Sequence, residues 1–349
     1  MTELDGELHP VSWTGDGITL IDQTALPQAV RYLKITEVQS LIEAIQRLSV
    51  RGAPALGAVG ALGVVLALRQ QRREGWDEEQ LAQVLEGIRH ARPTARNLAW
   101  AVDAVSPYIP AGEARVLSAA LELMAADEAG NHAIGNRGAD WIMARVTARP
   151  IRVLTHCNTG ALATTGWGTA LGIVRELARR GALGEVYVDE TRPLLQGARL
   201  TAFELTRAGI LHYVQVDGAA ASTVLSGRVD VAIVGADRIA ANGDTANKIG
   251  SLGVALACRE GGIPFVVAAP ESTIDGAIAS GEDVAIELRS EPEVLSLGGV
   301  SIAPQGTRAH NPAFDVTPAR FISALVTEAR LIEVAKGEVP TEARLEVAS

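Results

Sequence analysis

From Ile151 onward the chain repeats one pattern: a short, β-branched, almost wholly apolar run followed by a helical stretch. Ile151–Thr155, Glu185–Asp189, Leu211–Val216, Val229–Val234, Pro264–Ala268 and Val300–Ala303 read as strands. Helical periodicity fills Ala161–Arg180, Gly197–Ala208, Ala219–Ser226 and Asn247–Glu260 between them. Strands apolar on both sides must be covered on both faces, and strands joined by helices run parallel. This half therefore predicts an α/β domain built on a parallel sheet. The carboxyl ends of such strands share one edge, which would collect Cys157, Asp189, Asp217, Asp237 and Pro270.

The first 145 residues read differently. Val11–Trp13 and Ile18–Asp22 flank the turn residues Gly15–Asp16–Gly17 as a short β-hairpin. Helical spacing follows over Thr36–Leu48, Ala55–Arg72, Glu78–His90, Ala95–Val105 and about Glu113–Val146, with Pro93, Pro107 and Pro110 at the joins. The expected division is a smaller, mainly helical N-terminal domain over 1–145 and the α/β domain over 146–349. Near the end, Thr317 and Pro318 are expected to cap and open a helix over Ala319–Leu325.

With 349 residues, 48% of them hydrophobic and 21% charged, the chain is long and apolar enough for two folded domains. Its net charge of −10 argues against nucleic acid or an anionic membrane as partner, because either would need clustered Lys and Arg. A small anionic ligand would need a local positive pocket instead. Two cysteines, Cys157 and Cys258, provide no disulfide framework, and the opening Met1–Thr2–Glu3–Leu4–Asp5 lacks the basic and apolar segments of a signal peptide. The longest apolar run, Ala53–Leu68, falls short of the roughly 20 residues of a membrane span. A cytoplasmic location is expected.

Several positions invite chemistry, each beside a plainer alternative. Cys157 follows a strand and precedes an Ala/Leu-rich stretch; a helix opening there would favour its thiolate, although buried cysteines are common as packing. The neighbouring His156 should point to the opposite face of the strand, so no Cys–His pair is inferred. Asp237 ends what should be a central strand beside an apolar wall, where desolvation would favour the protonated form needed for general-acid work; pairing with Arg238 or capping a turn are the alternatives. Val50–Gly57 reads as a helix start, with Pro54 suiting its first position. Gly52 there would allow close approach to a phosphate beside Arg51, or else the segment is a Gly/Ala-rich packing helix. Asn247–Lys248 is expected to open the next helix.

Two other chemistries fit poorly. Gly166–Trp167–Gly168 falls inside the expected helix and no G-x-G-x-x-G follows the strand, which speaks against a dinucleotide. The six histidines are scattered, without paired Cys or H-x-x-x-H spacing, so metal-independent chemistry without a cofactor is expected.

Six segments taken together resemble the methylthioribose-1-phosphate isomerase family, in the superfamily that also holds ribose-1,5-bisphosphate isomerases and regulatory subunits of the eukaryotic initiation-factor exchange factor. They are Arg51–Pro54, Arg92–Ala95, Thr155–Gly160, Asp189–Pro193 through Gln196–Arg199, Gly235–Arg238 through Asn247–Lys248, and Asn311–Pro318, and they span nearly the whole chain. Arg96, where the family usually has an apolar residue, and the looser Ala285–Arg289 depart from the pattern away from any expected contact.

The resemblance implies a homodimer whose subunits pair a small helical domain with a Rossmann-like one. It also implies conversion of 5-methylthioribose 1-phosphate to 5-methylthioribulose 1-phosphate in methionine salvage. Cys157 and Asp237 match the family's catalytic pair, and Arg51, Gly52, Ala53, Arg92, Gln196, Asn247 and Lys248 match its substrate-contact positions. Phosphate on the anomeric carbon blocks spontaneous ring opening, so an acid must protonate the ring oxygen, and a protonated Asp237 suits that step. Hydrogen then passes from C2 to C1, either through a Cys157 thiolate or as a hydride. An apolar seat for the methylthio group is expected near Trp13 and Leu20, whereas ribose 1,5-bisphosphate would call for a second cationic cluster. A non-enzymatic exchange-factor subunit would need neither Cys157 nor Asp237.

Overall fold

A computed structural model describes residues 8–92 and 96–341. The chain separates into two compact units, one comprising Met1–His132 and Thr159–Gly172, the other Ala133–Asn158 and Ile173–Ser349.

In the first unit, β1 (Val11–Thr14), β2 (Gly17–Ile21) and β3 (Tyr32–Ile35) form an antiparallel sheet, one strand more than the hairpin read from the sequence. The helices are α1 (Val38–Gln46), α2 (Ala53–Glu74), α3 (Glu78–Arg89), α4 (Arg96–Val105) and the start of α5 (Glu113–Arg145). Helix α2 is apolar on every side from Ala55 to Leu68, so packing partners must surround it, and all fourteen of those residues are buried. It runs 22 residues because the polar stretch Arg69–Glu74 extends the apolar run by further turns until Gly75, at φ +73°, ends it. Among the described residues it is the one helix long and apolar enough to cross a membrane, and it forms the core of this unit. Gly60 permits the close packing, since a Cβ there would lie 2.8 Å from the Leu98 carbonyl of α4.

The second unit carries the parallel sheet. Its strands are β4 (Ile151–Thr155), β5 (Leu183–Asp189), β6 (His212–Gln215), β7 (Val231–Val234), β10 (Phe265–Ala268), β15 (Ala324–Val326) and β16 (Leu331–Ile332). They lie in the order β16-β15-β10-β7-β4-β5-β6, all parallel except β16. The crossovers include α6 (Ala170–Arg179), α7 (Ala202–Arg207), α8 (Ala220–Leu225) and α9 (Ser251–Gly261). A second sheet, in the order β11-β8-β9-β14, is built from β8 (Arg238–Ala240), β9 (Thr245–Lys248), β11 (Ile274–Asp275) and β14 (Phe314–Thr317). The fold class is thus α/β: a Rossmann-like parallel sheet preceded by a smaller, mainly helical part with a short β-sheet.

The chain runs from β4 outward through β5 to β6, then returns to the other side of β4 and proceeds through β7 to β10. The direction of winding therefore reverses between β4 and β7. Crossovers on the two sides of such a reversal leave in opposite directions, opening a crevice at the carboxyl ends, the usual ligand position in this architecture.

Four expected elements take other forms. The helix expected over Ala161–Arg180 is a 3-10 turn at Ala161–Ala163 and a separate α6, because Trp167 (φ +63°) and Gly168 (φ +94°) turn left-handed and Gly168 bridges to Gly160. The Thr159 carbonyl, two residues after Cys157, accepts from the N–H of Thr169 at 2.9 Å at the start of α6. Asn247 and Lys248 belong to strand β9, and the helix waits until Ser251, after Gly250 at φ +109°. Thr317 ends β14, Ala319–Phe321 is a single 3-10 turn, and Ala324–Val326 is the sheet strand β15. Val300–Ser301 forms a small hairpin, β13, with β12 (Ser296–Leu297) instead of joining the main sheet.

Candidate active site

Cys157 lies two residues beyond β4 and Asp237 three beyond β7, so they leave adjacent strands on the two sides of the reversal. The thiol is 7% exposed. Cys157 has φ +63°, a left-handed conformation that costs a residue with a Cβ about 1–2 kcal/mol. Its peptides are held in compensation: the Cys157 N–H donates to Thr191 Oγ1 at 2.8 Å, and its carbonyl accepts from Thr201 Oγ1 at 2.6 Å.

Beside it His156 is fully buried. Nδ1 lies 2.9 Å from Asp189 Oδ2 and Nε2 lies 2.8 Å from the Ile249 carbonyl. A carboxylate and a carbonyl only accept, so both ring nitrogens donate and the ring is an imidazolium. Burial opposes that charge most strongly. The Asp189 hydrogen bond, the charges of Asp189 and Asp217, and the Ile249 carbonyl outweigh it and hold the ring's pKa above its ordinary 6.5. Gln215 Nε2 satisfies the other Asp189 oxygen at 2.8 Å.

The Ile249 contact reaches the rest of the set. Ile249 follows Asn247 and Lys248 on β9, and the N–H of Asp237 donates to the Ala246 carbonyl one residue before Asn247. Two hydrogen bonds, from His156 to Ile249 and from Asp237 to Ala246, thus tie the β4 end, the β7 end and the Asn247–Lys248 strand together. Asn247 is buried, with Nδ2 donating to Ser251 Oγ at 2.8 Å. The Lys248 ammonium donates to the Ala313 carbonyl at 2.8 Å and sits 4.3 Å from the centre of the Phe314 ring. Asp315, opposite Asn247 on β14, accepts from Gly250 and Leu252 at the start of α9.

Asp237 itself is exposed, which departs from the apolar wall expected of it. The strand β7 beneath it is wholly buried, yet the chain turns outward at Ala236 into the β8–β9 hairpin and carries the carboxylate clear of the core. Gln196 is the opposite case. It is 5% exposed, and its Oε1 has no hydrogen-bond partner among the described residues, an unsatisfied acceptor that suits a ligand hydroxyl. Gln196 directly precedes a π-helical turn, Gly197–Thr201, whose last residue is the Thr201 that holds Cys157.

Arg51, Gly52, Ala53 and Arg92 belong to the first unit. Gly52 caps α2 at φ +94°, without a side-chain cap, so the first amides of a 22-residue helix are not occupied by a capping side chain. A Cβ on Gly52 would lie 2.2 Å from the Ala163 carbonyl oxygen, so only glycine fits. Arg51 and Arg92 are half-buried, and Pro93–Ala95, the rest of the Arg92 motif, lie outside the described residues. Leu20 is entirely buried, while Trp13 is half-buried with the Arg69 guanidinium 5.1 Å from its ring centre.

Sequence reasoning missed the roles of His156, Thr191 and Thr201. Thr191 stood inside a quoted motif, but nothing in the sequence around Thr201 announces a contact to residue 157. His156, Asp189 and Asp217 are the group among the described residues whose ligand atoms converge as a metal site would require. Both His156 nitrogens are already committed as donors, and Asp217 accepts the N–H groups of Thr191 and Arg192, so the group suits an imidazolium better than a metal ion.

The model of the Initiation factor 2 subunit family matches residues 49–333. A probable bifunctional methylthioribose-1-phosphate isomerase/methylthioribulose-1-phosphate dehydratase of Nocardia farcinica is 51% identical over 319 residues; the match takes in 91% of this chain but only 58% of that longer protein. A methylthioribose-1-phosphate isomerase of Gloeobacter violaceus is 46% identical, over 93% of each chain. Among solved structures, 5-methylthioribose 1-phosphate isomerase of Pyrococcus horikoshii OT3 superposes with a TM-score of 0.87 at 36% identity, covering 99% of this chain and 96% of that one. The translation initiation factor eIF-2B, subunit delta, of A. fulgidus gives 0.82 at 38% identity, over 93% and 96%.

Proposed function

This chain belongs to the Initiation factor 2 subunit family, among its methylthioribose-1-phosphate isomerases, and from that premise we propose that it converts 5-methylthioribose 1-phosphate to 5-methylthioribulose 1-phosphate with Cys157 and Asp237 as the reacting groups. It is an aldose–ketose isomerase acting in methionine salvage. The observation that carries the residue assignment is the position of Cys157 and Asp237 on adjacent strands at the winding reversal, the place where this architecture receives ligands.

Asp237 donates a proton to the ring oxygen, and the bond from that oxygen to C1 breaks. Because its carboxyl is exposed, the bound sugar and not a protein wall supplies the dry surroundings that favour the protonated form. Hydrogen then moves from C2 to C1 while the C2 hydroxyl gives its proton to the Asp237 carboxylate, restoring the acid, and becomes the ketone. A Cys157 thiolate serves this step as the base that takes the C2 proton and returns it to C1; a direct hydride shift would need from Cys157 only a shaped, dry surface. The buried Gln196 oxygen accepts from a sugar hydroxyl, and Asn247 and Lys248 orient the sugar or its phosphate. Arg51, Gly52, Ala53 and Arg92 are assigned to the substrate by family resemblance, and the uncapped start of α2 supports phosphate as the group that Arg51–Ala53 meets. No step calls for a metal or cofactor.

The test compares turnover of 5-methylthioribose 1-phosphate with that of ribose 1,5-bisphosphate on the purified protein. Turnover of the methylthio sugar at the higher kcat/KM supports the proposal. Preference for the bisphosphate, or no turnover of either sugar as a regulatory subunit would show, contradicts it.

A further inference from the structure

The peptides on both sides of the Cys157 Cα are held by buried threonine hydroxyls. Its left-handed φ is disfavoured for any residue with a Cβ, and Thr191, which holds it, is left-handed as well at φ +64°. Both threonines in contact with Cys157 are 0% exposed. Each hydroxyl is used twice. Thr191 Oγ1 accepts from the Cys157 N–H at 2.8 Å and donates to the Asp189 carbonyl at 2.9 Å. Thr201 Oγ1 donates to the Cys157 carbonyl at 2.6 Å and accepts from Asn158 Nδ2 at 3.3 Å.

The local helix geometry delivers one of these hydroxyls. In an α-helix a residue five places after Gln196 would be rotated about 140° from it. The turn over Gly197–Thr201 is π-helical, closed by the Ala202 N–H to the Gly197 carbonyl, and its wider winding turns Thr201 nearer to the Gln196 face than an α-helix would. Such turns cost backbone hydrogen bonding and persist where they place a side chain.

We propose that Thr191 and Thr201 are positioning residues for the Cys157 thiol, fixing the two peptide groups on either side of its Cα so that the sulfur is aimed at the substrate. The inference rests on the reading of Cys157 as a reacting group. Because each hydroxyl both donates and accepts, serine preserves the arrangement, while valine, with the same outline, breaks it.

The test uses the full chain carrying Thr191→Val, Thr201→Val, Thr191→Ser or Thr201→Ser, with two readouts. Steady-state kinetics of the isomerisation separates kcat from KM. Alkylation of Cys157 by iodoacetamide, followed by peptide mass spectrometry, needs no sugar and so tests the arrangement whether or not the isomerase reading holds. Each valine variant is expected to lower kcat on the order of 10- to 100-fold with KM changed less than about twofold, and each serine variant to restore it. The alkylation rate of Cys157 should shift in the valine variants and return in the serine ones. Where a valine variant does not fold, Thr→Ala at the same position, which removes the hydroxyl without adding bulk, replaces it under the same criteria. Valine or alanine variants with wild-type kcat and a wild-type alkylation rate overturn the proposal. If Cys157→Ala itself keeps full turnover, the isomerase role of the thiol fails, and the alkylation rates alone decide the positioning role.

Discussion

His156 Nε2 donates to the carbonyl of Ile249 at 2.8 Å, and this bond joins the end of β4, where Cys157 emerges, to the strand that carries Asn247 and Lys248. The other ring nitrogen is committed to Asp189, so the link is made by a buried cation with both donors in use. Gly250 is a glycine for the same reason, since a Cβ there would lie 2.6 Å from the His156 ring.

His156→Gln should therefore be costly. It leaves the buried Asp189 carboxylate without its charged partner, a loss of about 3–5 kcal/mol, which a denaturant melt would read directly. An unchanged melting midpoint would show that the ring is not charged in the folded protein.

The same ring sets a pH dependence. Its folded pKa lies above the 6.5 of the unfolded chain, so its stabilising contribution is complete below pH 6.5 and is lost as pH rises through the folded value. Comparing wild type with His156→Gln between pH 5.5 and pH 9, the stability gap should narrow at the alkaline end. A gap that widened with pH would give the ring the opposite sign.

Gly52→Ala tests the start of α2. The left-handed φ alone costs about 1–2 kcal/mol, and the added methyl meets the backbone of Ala163, which cannot rotate away as a side chain could. A fall in melting temperature of several degrees is expected, together with weaker substrate binding; wild-type stability would mean that the close approach is easily relieved.

Gln196→Met separates binding from folding. The amide oxygen it removes has no partner among the described residues, so stability should hold or rise slightly while KM for the sugar phosphate increases about tenfold. A destabilised protein with unchanged KM would place Gln196 in the structure and not in substrate contact.

Much of this was legible in the sequence, and the exceptions have physical causes. The strands β4, β5, β7 and β10 announced themselves because a sheet covered on both faces needs apolar runs, and α2 did so because it is apolar all round, whereas the edge strand β6 is largely exposed. Asn247–Lys248 was misread as a helix start because β9 pairs with β8 and with β14, the latter about 70 residues later, and local periodicity carries no trace of that distant partner. The exposure of Asp237 was hidden likewise, since it depends on where the β8–β9 hairpin turns outward. The chemical residues were found by motif, whereas Thr201, reached through a π-turn and a contact across 44 residues, left no local sign.

Turnover of 5-methylthioribose 1-phosphate by Cys157→Ala and Asp237→Asn, measured beside wild type with the fold checked by circular dichroism, probes the central claim most directly. The account predicts that both variants fold and that each loses at least about a thousandfold in kcat. A wild-type rate in either folded variant would contradict it.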